Sequence, residues 1–174
     1  MTNADGTTSR RRSAHSPTTV TTGTTPPRIG CAASAGPTTV ERAEVARLLL
    51  DSTVIIDALR GRPAAGRIAG LRRRGVEPWV CAISVEEIWR GLRPGEEDVV
   101  RRFFGAVRLA PIGVPEGERA GTWRRAFAEQ GITVHQADCL IAAAARGIEA
   151  PLATANVRDF PMDDLIVEHW PVGE

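Results

Sequence analysis

Short apolar runs alternate with stretches of helical periodicity from Glu44 onward, and this alternation restricts the fold more than any other feature of the chain. The first run, Val45 to Asp51, is typical of a buried strand, and Thr53 to Arg60 is typical of a short helix. The same order recurs to the end of the sequence. Strands that alternate with helices form parallel sheets with both faces covered. We therefore predict an α/β fold, a three-layer α/β/α sandwich with a mostly parallel central sheet.

The remaining segments continue this pattern, and glycine ends several of the helices. A further helix is predicted from Ser84, as an N-cap whose capping box is completed by Glu87, to Gly91. The other predicted strands are Trp79 to Ile83, Val107 to Ile112, Pro151 to Thr154 and Leu165 to Glu168. The other predicted helices are Pro63 to Arg74, Gly95 to Ala106, Glu116 to Gln130 and His135 to Arg146.

Residues 1 to 44 have a different composition, rich in Thr, Ser, Pro, Gly and Ala, with almost no large apolar side chains. Such a segment cannot bury enough surface to offset the entropy lost on ordering. We expect a disordered tail, or a start codon assigned too far upstream, with Val40 or Val45 as the true start. Residues 45 to 174 form the predicted folded domain.

The net charge of the chain is +1, and residues 1 to 44 hold five arginines against three acids. The rest is close to neutral and cannot coat a polyanion non-specifically, so any contact with nucleic acid must use a local patch. Of the three cysteines, Cys81 and Cys139 lie in apolar runs and are expected to be reduced core residues, whereas Cys31 lies in the tail. Arg10 to Arg12 precede no apolar segment, as an export signal would require. We expect a soluble, cytoplasmic protein.

Acidic or amide side chains stand at the ends of predicted strands or near the starts of predicted helices, and these are Asp51, Glu87, Asp138, Asn156 and Asp159. Parallel sheets bind their ligands at the carboxyl ends of the strands, where all of them can converge. Buried carboxylates need a compensating positive charge. The chain has no lysine, since all 22 basic residues are arginine, and a divalent cation is the simplest counter-charge. Oxygen ligands without a His or Cys cluster suit Mg²⁺ or Mn²⁺.

A metal held in this way can activate water and neutralise charge on a phosphoryl group, so metal-assisted phosphodiester hydrolysis is the reaction class that the residues favour. Each acid also has a structural interpretation, as a helix cap or a surface charge. In that interpretation Glu87 serves the capping box and no other function, and Asp57 is expected to be structural. His135 is expected at the boundary of a helix rather than as a general base.

Four segments frame these acids in order between residues 47 and 160, and they read LLLDSTVIIDALRG, ISVEEIWRGL, HQADCLIAAAARG and PLATANVRDF. Together they closely resemble the PIN domain, specifically the VapC-type ribonuclease toxins of bacterial toxin–antitoxin pairs. The resemblance covers essentially everything after the tail. It implies a Mg²⁺-dependent endoribonuclease, with Mn²⁺ as an alternative metal, that forms a homodimer. It also implies inhibition by a VapB-like antitoxin whose C-terminal segment lies across the active-site groove.

The same resemblance assigns roles to individual residues. Asp51 and Asp138 would be the principal metal ligands, with Glu87 binding metal directly or through water. Asn156 or Asp159 would complete the site, since family members use either an amide or an acid there. Ser52 stands where the family usually has threonine, and its hydroxyl would position water or phosphate.

Two other functions stay open: a housekeeping PIN nuclease that processes RNA, and a PIN-shaped binding module without catalysis. Receiver domains and haloacid-dehalogenase-like phosphatases need a catalytic lysine, which this chain lacks.

Any arginine group that borders the acidic rim would hold the RNA backbone. The candidate groups are Arg72 to Arg74, Arg101 with Arg102, and Arg124 with Arg125. Trp89 is the aromatic residue that we expect in an interface.

Overall fold

The computed structural model describes residues 45–173, which alternate between strands and helices. The strands are β1 (Ala46–Leu50), β2 (Val76–Cys81), β3 (Arg108–Ala110), β4 (Leu152–Thr154) and β5 (Val167–His169). The α-helices are α1 (Ser52–Leu59), α2 (Pro63–Leu71), α3 (Ala82–Arg90), α4 (Glu97–Gly105), α5 (Val114–Glu129) and α6 (Gln136–Gly147). Two short 3-10 turns cover Arg72–Arg74 and Val157–Asp159.

The sheet has the strand order β3-β2-β1-β4-β5, and every pair of neighbouring strands is parallel. This arrangement confirms the predicted α/β class, with a sheet that is parallel throughout. Because β1 is the central strand, Asp51 lies at the middle of the carboxyl-terminal edge. The strands on either side, β2 and β4, end beside it, so this edge can gather side chains from three strand ends.

Alternate residues of β1 face opposite layers of the core, as the two-residue period of a strand requires. Leu49 packs in the layer formed with α5 and α6, whereas Leu48 and Leu50 pack in the layer formed with α1 to α4. All three are at most 3% exposed. Burial of this kind stabilises the fold by about 25 cal/mol for each Å² of apolar surface removed from water. The central strand is therefore fixed from both faces.

Helix α6 is the most deeply buried helix of the described region. Ala142 to Ala145 have no exposed surface, and their small side chains let the helix lie close to its neighbours. The buried thiol of Cys139 packs in the same layer, and Cys81 is also buried and unpaired, as expected for reduced core residues. Asp138 is held in the first turn of α6 by this packing.

The start of α3 differs from the prediction. The strand before it covers Val76–Cys81 instead of Trp79 to Ile83, and the helix begins at Ala82 directly after the extended residue Cys81 (φ −117°, ψ 166°). Ser84 therefore cannot be the N-cap, and the predicted capping box is wrong. The Ser84 side chain is fully buried, and its hydroxyl lies 3.6 Å from the Cys81 sulfur. Glu87 lies in the second turn of α3 instead of the first, and no capping role competes for its carboxylate.

Several predictions concern residues outside the described range of 45–173. They are the disordered tail over residues 1 to 44, the alternative start at Val40, the placement of Cys31 and the arginines at 10 to 12. Within the described range, no helix combines the length and the apolar character needed to cross a membrane.

Candidate active site

The carboxylate of Asp51 is the centre of the site and lies in a fixed position. It is 4% exposed and caps α1, because the Ser52 N–H donates to Oδ1 at 2.7 Å. Two threonine hydroxyls donate to the other oxygen, Oδ2, from Thr53 at 2.7 Å and from Thr154 at 2.8 Å. A carboxylate oxygen accepts about two hydrogen bonds, so the two short bonds use Oδ2 fully. Oδ1 has one short bond, and its second contact, to the Ser52 hydroxyl, is long at 3.5 Å, so Oδ1 is the oxygen that can take a further partner.

The two threonines also connect Asp51 to the loop that follows β4. The Ala155 N–H donates to the Thr53 hydroxyl at 3.2 Å, and the Asn156 N–H donates to the Thr154 hydroxyl at 3.0 Å. Thr154 is completely buried. The backbone that carries Asn156 and Asp159 is therefore positioned against Asp51 by hydroxyl groups. Neither threonine was among the site residues predicted from the sequence.

Asp138 lies within the field of the other acids. Burial raises the pKa of Asp138 to about 6, together with the negative charges of Asp159, Asp51 and Glu87, whereas the neighbouring His135 acts in the opposite direction. The four carboxylates come from four elements widely separated along the chain. The charges of the other three act on Asp138 because the fold brings these residues to one edge of the sheet. The result is a negative pocket at the carboxyl ends of β1, β2 and β4.

The other predicted site residues lie at the edge of this pocket. Ser52 is 8% exposed and its hydroxyl is 3.5 Å from Asp51 Oδ1. Asp159 contributes charge to the pocket, whereas Asn156 contributes a backbone contact to Thr154. His135 is the N-cap residue of α6, at the helix boundary as predicted. The catalytic and metal-binding roles of the site residues stay predictions.

The donor set fits a hard divalent cation by its chemistry and charge. All four charged groups are carboxylates, and a cation between them would relieve the repulsion that raises the pKa of Asp138. In residues 45–173, however, no group of three or more His, Cys, Asp and Glu side chains is already arranged to hold an ion. The proposed metal site is therefore supported by the charge of the pocket and by its carboxylate oxygens, and not by a preformed set of three or more ligands.

The raised pKa of Asp138 predicts how the stability of the metal-free protein depends on pH. Because the folded pKa is about 6 and the ordinary value is 3.8, the folded state holds a proton that the unfolded state loses between these values. The free energy of unfolding therefore decreases as the pH rises from about 4 to above 6, because Asp138 then has to ionise within the folded protein. We expect Asp138→Asn to raise the melting temperature in a chelator by a few degrees at about pH 7.5, and to have little effect near pH 4.

Thermal unfolding at both pH values tests this expectation. Asp163→Asn is the matched control, because Asp163 is exposed and is not among the charges that act on Asp138. Equal effects of Asp138→Asn at the two pH values would show that the pKa of Asp138 is not raised by burial and by the neighbouring carboxylates.

Basic and aromatic residues occupy different parts of the surface. Arg72 to Arg74 precede β2 and so lie at the opposite edge of the sheet, where the Arg72 guanidinium contacts the Ala106 carbonyl. The Arg101 guanidinium lies 5.3 Å from the ring centre of Trp89, which is 36% exposed. Among the three arginine groups predicted from the sequence, the one at Arg124 and Arg125 lies near the start of α6, since the charge of Arg124 lowers the pKa of Cys139 against the larger effect of burial.

Asp57 has the structural role that was predicted for it. Its side chain is 2% exposed and accepts hydrogen bonds from the backbone N–H groups of Ala64 at 3.3 Å and Gly173 at 3.0 Å. The Arg62 guanidinium lies 3.7 Å away. Asp57 thus fixes the start of α2 and the C-terminal segment, and it is not part of the acidic pocket.

Comparisons with known proteins identify the family of this chain. A family model described as the PIN domain matches residues 48–161. Ribonuclease VapC19 of Mycobacterium tuberculosis is 34% identical over 115 residues, which cover 66% of this chain and 92% of that protein. Ribonuclease VapC10 of the same organism is 33% identical over 115 residues, covering 66% of this chain and 86% of that protein.

Two solved structures have a similar fold. One is VapBC2 from Rickettsia felis bound to a DNA fragment from its promoter, with a TM-score of 0.65, 18% identity and coverage of 71% of this chain and 98% of that chain. The other is VapBC-1 from nontypeable Haemophilus influenzae, with a TM-score of 0.62, 23% identity and the same coverage of both chains. At these identities the likeness concerns the fold.

Proposed function

This chain belongs to the PIN domain family, and on that premise we propose that it is a metal-dependent endoribonuclease of the VapC type, the toxin of a toxin–antitoxin module. The observation that carries the proposal is the single negative pocket in which Asp51, Glu87 and Asp159 act on Asp138. Relatives named as ribonucleases align over most of their own length, which supports the same reaction class here.

We infer that Asp51 and Asp138 would hold a Mg²⁺ ion, with Glu87 as a third acid and Asp159 at the edge. The bound cation would activate a water molecule and neutralise charge that develops on the phosphoryl group. Asp51 would use Oδ1, because Oδ2 already accepts from Thr53 and Thr154. Asp138 would first lose the proton that it holds below about pH 6, so metal binding and protonation compete at this carboxylate.

An RNA cleavage assay with the purified chain tests the proposed function. We expect cleavage of single-stranded RNA in Mg²⁺, loss of cleavage in a chelator, and recovery when Mg²⁺ or Mn²⁺ is added back. Cleavage that persists in a chelator would contradict the metal dependence. Failure to cut transfer, ribosomal or messenger RNA under any of these conditions would favour a binding module without catalysis.

Arg124 is the member of the three arginine groups that we expect to contact the RNA backbone, because its charge reaches the start of α6 beside Asp138. Its neighbour Arg125 is equally exposed and differs from it by about 100° around the helix axis. Arg124→Glu should lower kcat/KM for RNA by roughly tenfold through a higher KM, and Arg125→Glu should have a smaller effect although the net charge changes equally. Equal effects of the two reversals would mean that only net charge matters.

The partner that we propose is an antitoxin protein, as in the VapBC assemblies with a similar fold. An arginine of the antitoxin that entered the pocket would replace the positive charge of the metal and form charge-assisted hydrogen bonds to the carboxylates. The toxin assignment predicts growth arrest on expression of the chain alone and relief on co-expression of the adjacent antitoxin gene. Growth that is unaffected by an active enzyme would favour a housekeeping nuclease.

The proposed homodimer is tested by the mass of the purified chain in solution.

A further inference from the structure

A second cleft lies at the carboxyl-terminal edge of the sheet, beside the acidic pocket. It is lined by Ala155, Asn156, Val157, Arg158, Asp159 and His169 and has a volume of about 790 Å³. Ligand pockets in proteins usually measure about 300–1,000 Å³. The cleft therefore has room for part of a substrate that extends beyond the reacting phosphate.

The sheet register places His169, which lines this cleft, one strand away from a residue that contacts Asp51. His169 ends β5 and pairs with Thr154 of β4, and the hydroxyl of Thr154 donates to Asp51. On the other side of the cleft, Asp159 belongs both to its lining and to the charges that raise the pKa of Asp138. The cleft and the acidic pocket thus have Asp159 in common.

The charges of the cleft are available to a ligand. Arg158 and His169 are both exposed, and neither forms a salt bridge of 4.0 Å or less with an acid in the region described, residues 45–173. The adjacent Glu168 side chain accepts a hydrogen bond from the Trp170 indole at 3.1 Å. Val157, which is 40% exposed, adds an apolar surface to the same cleft.

These groups match the parts of one nucleotide. A guanidinium binds a phosphate through two parallel hydrogen bonds, and an imidazole ring offers a surface on which an unpaired base can stack. The acidic pocket itself repels the RNA backbone, so the substrate needs cations outside it. We propose that the Arg158–His169 cleft is a subsite for the single-stranded RNA nucleotide next to the cleaved bond, with Arg158 on its phosphate and His169 against its base. The proposal rests on the ribonuclease function proposed above.

Binding measurements test the subsite separately from catalysis. The probe is a fluorescently labelled single-stranded RNA of random sequence, added to protein that carries Asp51→Asn so that it is not cut. We expect Arg158→Ala to weaken binding roughly tenfold and to reduce the slope of log K against log salt by about 1. His169→Ala should also weaken binding, whereas His169→Phe, which keeps a ring for stacking, should bind nearly as the parent does.

Arg73→Ala is the matched control, since it removes the same charge at the opposite edge of the sheet and should leave the salt slope nearly unchanged. In protein with Asp51 intact, Arg158→Ala should raise KM and leave kcat nearly unchanged. Binding and a salt slope equal to the parent's in Arg158→Ala would overturn the subsite. Failure of the parent to cut any RNA would instead contradict the proposed function, and the binding series would still decide whether the cleft holds RNA.

Discussion

Replacing Asp51 by asparagine is expected to reduce RNA cleavage by at least about 10³-fold, with the fold retained. The substitution removes the negative charge at the centre of the pocket but keeps the size of the side chain and an oxygen that can accept from the Ser52 N–H. Loss of one group that stabilises the transition state costs about 10²–10³-fold, and here binding of the metal would be lost as well. Single-turnover cleavage and thermal unfolding of the same preparation measure the two expectations.

Asp57→Asn is the matched control for this change. Asp57 lies within α1, of which Asp51 is the N-cap, and both residues are buried. The control removes the same charge, but the contacts of Asp57 are to Ala64, Gly173 and Arg62. Cleavage per folded molecule should stay close to that of the parent protein. An Asp51→Asn protein that cuts RNA at the parent rate would remove Asp51 from the reaction.

Asp57→Ala is expected to have the largest effect on stability, with a loss of about 3 kcal/mol in the free energy of unfolding. The change leaves two backbone N–H groups without their acceptor, one at the start of α2 and one in the C-terminal segment. Asp57→Asn should lose less, because the amide oxygen can still accept one of these hydrogen bonds. Urea unfolding of the parent, Asp57→Asn and Asp57→Ala proteins measures their free energies of unfolding, which should decrease in that order. An Asp57→Ala protein as stable as the parent would contradict the structural role.

The sequence predicts the alternation of strands and helices well, because the strongest apolar runs lie in β1 and α6. The beginning of β2 was missed because Glu77 and Pro78 interrupt its apolar pattern, although both lie within the strand. Ser84 precedes acids at the usual spacing of a capping box, and this pattern predicts a helix cap. In the structure it is a buried residue inside α3, since the helix begins directly after the strand.

The acids of the pocket could be predicted because each stands at a strand end or near the start of a helix, and a parallel sheet gathers such positions at one edge. The threonines could not be predicted in the same way. Thr154 ends a buried strand, and a lone hydroxyl there indicates a buried hydrogen bond. Its partner Asp51 lies 103 residues earlier in the chain, and no local spacing connects the two.

The most direct measurement is a crystal structure of the chain soaked in Mn²⁺, which stands in for Mg²⁺ and is located by its anomalous scattering. We expect a peak in contact with the carboxylates of Asp51 and Asp138, because these are the proposed metal ligands. No peak at this pocket under Mn²⁺ concentrations that support RNA cleavage, or a peak elsewhere in the molecule, would contradict it.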